Sequence, residues 1–191
     1  LCIATHPDSH LRMVQAAERY GVSVAVCEKP LAHTLRHARR IASVHRVGHT
    51  RVITNHERRY SADYLAVREL VRSRRYGRLL SVRGTLYFGS GRHDQVVLHD
   101  GTHMVDIVNF LVGGHVQLTR RVGRMRSRRS SAFLYGRLGG VPVVIEVGAE
   151  RDHLVFELEL SFERGRVRVG NGVLSFEESG KRESVKALKR E

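Results

Sequence analysis

The sequence predicts an α/β part built on parallel strands, followed by an α+β part built on a large, mostly antiparallel sheet. Three observations carry this. Apolar strand-like runs alternate with amphipathic helical patterns as far as Thr54. After Arg59 the alternation stops, and two helical patterns are followed by a strand-rich remainder. Within that remainder Phe156, Leu158, Leu160 and Phe162 alternate with Glu157, Glu159, Ser161 and Glu163, the period of a strand with one buried face.

Taken in order, Leu1-Cys2-Ile3-Ala4 reads as a buried strand that runs into the turn Thr5-His6-Pro7-Asp8. Leu11, Val14 and Ala17 follow helical spacing, with Asp8 or Ser9 as candidate N-caps and Gly21 at the end. Residues 22–27 form a nearly continuous apolar run, expected of a parallel strand covered on both faces. Leu35, Ala38, Ile41 and Ala42 mark a second helix closing near Gly48, and residues 51–54 a third strand. Strand, helix, strand, helix, strand implies a parallel sheet with helical crossovers. Ser61 then caps a helix carrying Tyr64, Val67, Leu70 and Val71, residues 80–88 read as a strand, and residues 101–112 as a helix apolar on most sides. Gly165 supplies a turn of the final meander, and Asn171-Gly172 suits a type I′ hairpin. The boundary between the two parts is expected near Glu57.

Composition narrows the class. A chain of 191 residues with 41% hydrophobic residues can bury a sizeable core. No apolar run approaches the roughly 20 residues that cross a bilayer, and no charged-then-apolar leader is present, so a cytoplasmic protein is expected. Cys2 and Cys27 both lie in strand-like stretches and read as small buried side chains. The net charge of +14 makes nucleic acid a partner to consider. The arginines are nevertheless dispersed, and the densest group, residues 120–129, has no interleaved aromatics to stack on bases. A solvated basic surface is the preferred reading. The chain begins with Leu1 and in mid-pattern, so a preceding segment is expected.

Three clusters could carry chemistry. Thr5-His6-Pro7-Asp8-Ser9-His10 follows the first strand, at the sheet edge where ligands of open α/β sheets bind; an ordinary strand-to-helix loop capped by Asp8 or Ser9 is an equal alternative. Glu28-Lys29-Pro30 follows the second. Two opposite charges directly after an apolar strand are costly unless they meet a ligand or each other. A carboxylate can accept two ribose hydroxyls, and a lysine can hold or exchange a proton with a substrate hydroxyl. The third cluster is His99-Asp100-Gly101-Thr102-His103-Met104-Val105-Asp106. On one continuous helix His99, His103 and Asp106 fall within roughly 60° of each other. Neutral imidazole is a ready general base, and Asp106 would orient His103. Ligand types alone would also allow zinc there, but no metal is assigned.

With these clusters in this order, the sequence resembles the Gfo/Idh/MocA oxidoreductases, the family of glucose-fructose oxidoreductase and inositol dehydrogenase. The resemblance rests on residues 3–10, on Glu28-Lys29-Pro30-Leu31-Ala32, on Asn55-His56-Glu57-Arg58-Arg59-Tyr60 and on the histidine helix of residues 99–106. It implies that residues 1–57 are the C-terminal part of a Rossmann-type dinucleotide-binding domain. Residues 58–191 would be an α+β substrate and oligomerisation domain, incomplete at its end. The implied activity is hydride transfer between NAD or NADP and a sugar, polyol or related hydroxy compound. Lys29 would contact the reacting hydroxyl and the nicotinamide, Glu28 the nicotinamide ribose, and His103 would accept the proton. Thr5, Pro7, His10 and Pro30 would line the cofactor cleft and Arg59 its rim. His99 stands where the family has an Asp, with Asp100 one residue later, so either His99 substitutes in the site or the helix start is irregular. The resemblance also implies a homo-oligomer joined through the antiparallel sheet. No Gly-x-Gly-x-x-Gly occurs in the sequence, so residues 1–191 alone are expected to bind the cofactor poorly and be inactive. A non-catalytic sensor of the same fold and, less favoured, a basic nucleic-acid-binding protein are the alternatives.

Overall fold

The computed structural model describes residues 1–87, 95–123, 131–151, 153–179 and 181–185. The chain divides into two compact units, Leu1–Glu57 and Arg58–Glu191.

The first unit runs β1 (Cys2–Ile3), α1 (Pro7–Arg19), β2 (Val24–Glu28), α2 (Leu35–Val47) and β3 (Arg51–Asn55). All three strands are parallel, in the order β1-β2-β3. Ala25 and Cys27 on β2 are fully buried in one cluster with Ile3, Leu11, Val14, Ala17 and Ile41. Two expectations are corrected here. β2 alternates rather than being covered on both faces, and Val24 is exposed, because α1 and α2 pack on the face that carries Ala25 and Cys27. Cys2 is exposed, whereas Cys27 is buried. β1 is a two-residue edge strand whose alternation sends Ile3 inward and Cys2 outward.

Capping explains the helix limits. α1 begins one residue after His6, with Pro7 in its first turn, where a missing N–H costs nothing. Ser9 is therefore inside the helix, not its cap, and its hydroxyl donates back to the His6 carbonyl. Thr34 caps α2, its Oγ1 accepting from the His37 N–H. Near the end of α1, the Glu18 carboxylate accepts from the backbone N–H of His49 (3.0 Å) and Thr50 (2.8 Å). The buried Thr50 hydroxyl donates to the Val22 carbonyl. Together these bonds fix where β3 starts.

A 3-10 turn, Glu57–Tyr60, leads from the first unit into the second, which continues with α3 (Ala62–Ser73), β4 (Leu79–Tyr87), α4 (Gln95–His99) and α5 (Gly101–Val112). Seven strands follow: β5 (Gln117–Gly123), β6 (Ser131–Leu138), β7 (Val141–Gly148), β8 (Val155–Phe162), β9 (Gly165–Gly170), β10 (Val173–Glu178) and β11 (Lys181–Val185). They form one eight-stranded sheet with β4, in the order β11-β10-β9-β8-β4-β7-β6-β5. Among the described residues, only the β4–β7 pair of this sheet is parallel. Val82 and Leu86 of β4, Ile145 of β7, and Leu158 and Leu160 of β8 pack with Met104, Ile107, Val108 and Leu111 of α5 in one core. Fully burying side chains of this size contributes about 1.5–3 kcal/mol each.

β8 follows its alternating pattern, with Phe156, Leu158, Leu160 and Phe162 buried. On the outward face Arg166 of β9 pairs with Glu177 of β10 (2.7 Å) and Glu159 of β8 (3.3 Å). The hairpin at Asn171-Gly172 has φ of 49° and 74°, both positive, as a type I′ turn requires. β5 contributes Arg120 and Arg121 from the basic group, whose residues 124–129 lie outside the described residues, as does Phe88 of the expected strand. No helix among the described residues is long and apolar enough to cross a membrane.

Candidate active site

In the first unit the parallel register brings the carboxyl ends of all three strands to one edge. Ile3 is paired with Cys27, and Glu28 with Asn55. Asn55 Nδ2 donates to Glu28 Oε1 at 2.6 Å, and the Lys29 backbone N–H approaches Oε2 at 3.3 Å. A carboxylate offers about four lone-pair directions, so Glu28 retains roughly two for an incoming donor. The Lys29-Pro30 peptide is cis, and Pro30 is buried. Just below the edge, burial and then the charge of Glu28 push the Cys27 thiol up to about 11.

The loops after β1 and β2 are tied together by His10. Its ring is fully buried; Nε2 lies 2.9 Å from the Thr5 carbonyl and Nδ1 3.2 Å from the Leu31 carbonyl. A neutral ring donates to one of these oxygens, and the shorter contact marks Nε2–H as the better donor. The Thr5 and Ser9 hydroxyls are 2.6 Å apart. Thr5, Pro7, His10, Glu28, Lys29 and Pro30 are thus gathered at one sheet edge. His10 stands behind the loops, while Pro7 is buried at the start of α1.

The second unit carries the histidines. α4 ends at His99 and α5 begins at Gly101, with Asp100 between them at φ −106° and ψ −31°. His99, His103 and Asp106 are therefore not on one continuous helix, which corrects the shared stripe. The start of α5 is irregular: Asp100 occupies its N-cap position, and its carbonyl accepts from the His103 N–H at 3.1 Å. The Thr102 hydroxyl donates to the His99 carbonyl across the break. His103 is only 6% exposed and meets the Phe156 ring edge-on at 6.5 Å. The Arg58 guanidinium lies over Phe156, 3.9 Å from the ring centroid.

Arg59, expected at a cofactor rim, turns its guanidinium to Asp106. Nε donates to Oδ2 at 2.7 Å, and Nη2 donates to Oδ1. Asp106 is 12% exposed and Arg59 41%, so the acid is the desolvated partner. This hydrogen bond, above all, raises the Arg59 guanidinium further. Tyr64, also buried, is pushed up to about 12 by burial.

No family model matches the chain. Over 136 residues it is 32% identical to D-apiose dehydrogenase of Paraburkholderia graminis, covering 65% of this chain and 36% of that protein. It superposes on WlbA dehydrogenase of Bordetella pertussis, solved with NADH and UDP-GlcNAcA, with a TM-score of 0.79 and 20% identity. That match covers 95% of this chain and 59% of WlbA. UDP-N-acetylglucosamine 3-dehydrogenase GnnA of Acidithiobacillus ferrooxidans gives a TM-score of 0.81 at 17% identity, over 100% of this chain and 64% of GnnA. The fold is that of the Gfo/Idh/MocA oxidoreductases. The chain spans about a third of the curated relative it matches, and about three fifths of these two solved structures.

Within the Gfo/Idh/MocA fold, three residues were not recognised from sequence alone. Asn55 holds Glu28, and its signal was its place at the end of a strand parallel to the one ending in Glu28. Arg58 stacks on Phe156, which no spacing rule relates to it. His33 reaches Asp8, with Nδ1 2.7 Å from Oδ1. That hydrogen bond is the largest influence holding the Asp8 carboxyl below its ordinary range.

Proposed function

We propose that the protein containing these residues is an NAD(P)-dependent oxidoreductase that moves a hydride between the nicotinamide and a sugar, polyol or related hydroxy compound. The observation that carries this reading is Glu28-Lys29-Pro30 at the carboxyl edge of the parallel sheet, with Glu28 held by Asn55 and still able to accept hydroxyl donors. The relatives act in the same sense: one is a D-apiose dehydrogenase, and another was solved with NADH and a sugar nucleotide.

The donor set fits a nicotinamide nucleotide. Glu28 would accept from the ribose hydroxyls, and the loops carrying Thr5, Pro7 and Pro30 would line the cleft. His10 fixes the two loops that form it. When bound, the nicotinamide supplies the two-electron acceptor or donor. Oxidation of the alcohol removes a hydride from carbon and a proton from oxygen. His103 takes that proton as general base. The Lys29 ammonium would donate a hydrogen bond to a substrate oxygen where negative charge develops. Asp100 and His99 set the start of α5 and so the position of His103. Arg59 serves through Asp106 on that helix.

We further propose that residues 1–191 alone hold the cofactor weakly and turn over little substrate, since no Gly-x-Gly-x-x-Gly is among them to cradle a pyrophosphate. The exposed face of β5 and β6, with Leu118, Phe133 and Tyr135, supports association of copies through the sheet. The test uses the full-length protein with aldoses, polyols and sugar nucleotides, following reduction of NAD and NADP. Lys29→Ala and His103→Ala should each lower kcat/KM by about 10²–10⁴-fold without loss of fold. Turnover unchanged after both substitutions would exclude the catalytic reading in favour of a sensor.

A further inference from the structure

We propose that His6, Asp8 and His33 form a binding site for a divalent first-row transition-metal cation, typified by zinc. The three side chains come from two separate loops at the carboxyl edge of the parallel sheet. His6 precedes α1 and Asp8 lies in its first turn, whereas His33 follows Pro30 on the way to α2. His6 Nδ1 lies 3.1 Å from Asp8 Oδ2, and His33 Nδ1 lies 2.7 Å from Asp8 Oδ1. The three potential ligand atoms all stand within 4.8 Å of one another. Two ligands bonded tetrahedrally to zinc at ~2.0–2.1 Å are separated by ~3.3 Å. The two nitrogen–oxygen separations are near that value but run to different Asp8 oxygens, so the carboxylate would straddle the ion or turn one oxygen to it. The imidazole rings meet edge-on at 5.1 Å between centroids, so neither blocks the other from a shared ion.

The donor chemistry is selective. Two imidazoles and one carboxylate suit zinc and its neighbours, and not calcium or magnesium, which prefer all-oxygen sets. Asp8 and His6 are each about 70% exposed, so water can fill a fourth position, while His33 is 21% exposed and anchors the cluster. The backbone beneath is already in place. His10 bridges the same two loops from below through the Thr5 and Leu31 carbonyls, and Thr5 pairs with Ser9. A bound ion would join the two loops a second time, from the solvent side. The cluster shares the loops proposed above to line the cofactor cleft, but the inference of a metal site does not depend on the hydride chemistry.

The experiment is a calorimetric titration of residues 1–191 with zinc alone, repeated with cobalt(II), whose visible spectrum reports its coordination. The expected result is one saturating equivalent per chain, reversed by a chelator. Its affinity should fall steeply in acid, where imidazole ligands take up protons. His33→Ala and Asp8→Asn should each weaken that equivalent by at least about tenfold. His37→Ala and His49→Ala, in the same unit but outside the cluster, should leave it unchanged. A parallel thermal melt guards against misfolding: zinc should raise the midpoint of the parent chain and not that of Asp8→Asn. Absence of a saturating equivalent, or equal affinity in His33→Ala and the parent, would overturn the proposal. Loss of zinc binding with dehydrogenase turnover intact in the full-length protein would leave the catalytic reading standing. The converse result would separate the two in the other direction.

Discussion

Gly170 and Gly172 flank Asn171 in the β9–β10 hairpin, and a methyl group at each should have very different consequences. At Gly170, φ is +134° and an added Cβ would stand 2.0 Å from the Phe156 carbonyl oxygen and 2.9 Å from the Glu157 Cα. Both obstacles are backbone of β8, which is hydrogen-bonded to β4 on one side and β9 on the other, so neither can rotate aside. Holding a non-glycine residue in this conformation costs about 1–3 kcal/mol. Forcing the strand apart adds about 1–3 kcal/mol, as overpacking does elsewhere. Gly170→Ala should therefore destabilise the second unit by about 3 kcal/mol or more, a large share of the roughly 5–15 kcal/mol typical of a domain. At Gly172, φ is +74° and an added Cβ meets nothing within 4 Å. Gly172→Ala carries only the left-handed penalty of about 1–2 kcal/mol, partly offset by about 0.4–1 kcal/mol from a less flexible unfolded chain. Urea unfolding followed by tyrosine fluorescence reads the relevant unit, because five of the six tyrosines lie beyond Arg58. The displaced strand carries Phe156, against which His103 packs, so histidine ring resonances should shift in Gly170→Ala and not in Gly172→Ala. Equal midpoints for the two variants would refute the reasoning.

Acid should unfold the chain in part through Glu18 and Glu163. Backbone N–H donors of His49 and Thr50 hold the Glu18 carboxyl below its ordinary value, and those of Arg78, joined by its side chain, do the same for Glu163. A carboxyl lowered in the folded state contributes stability above its unfolded pKa, near 4.5, and loses it as pH falls through the folded value. Glu18→Gln and Glu163→Gln should each flatten the stability profile below about pH 4.5, measured by urea midpoints across pH, and an unchanged slope would contradict this. The Arg59–Asp106 pair should show a coupling of about 1–2 kcal/mol in a double-mutant cycle of Arg59→Ala and Asp106→Asn, because the carboxylate is largely desolvated and the guanidinium only partly. A coupling near zero would reduce the pair to a surface contact.

How far the sequence could be read depended on whether the deciding interactions were local. The alternation of β8 and the Asn171-Gly172 turn were legible because side-chain period and backbone handedness are local properties. The gathering of Thr5 and Glu28 at one edge was legible because parallel connection by a helix leaves little choice of topology. Cys2 was misjudged because the same apolar run suits a central strand and a two-residue edge strand, and only pairing tells them apart. The histidine stripe failed for a sharper reason. Projection at 100° per residue assumes an unbroken helix, and the turn at Asp100 resets the phase between His99 and His103. Long-range partners such as Asn55 for Glu28, Arg58 on Phe156 and His33 for Asp8 depend on register and packing that no short window contains.

These partners also explain why costly polar groups persist where they do. Glu28 ends an apolar strand, and Asp106 lies among buried residues of α5, places where a polar group without hydrogen-bond partners is costly. Each is held instead by a donor from its own unit. Asn55 reaches Glu28 from the adjacent parallel strand, and Arg59 reaches Asp106 from the turn that opens the second unit. Neither arrangement requires the other unit to be in a particular place. A neutral amide on Glu28 leaves its full charge and part of its hydrogen-bonding capacity for a ligand. A guanidinium on Asp106 takes up both of its oxygens in a fixed fork. The first carboxylate is therefore arranged to receive something further, and the second to hold the helix that carries His103. That difference in partners, rather than the charges themselves, supports the proposal that Glu28 binds a ligand and that Asp106 positions α5.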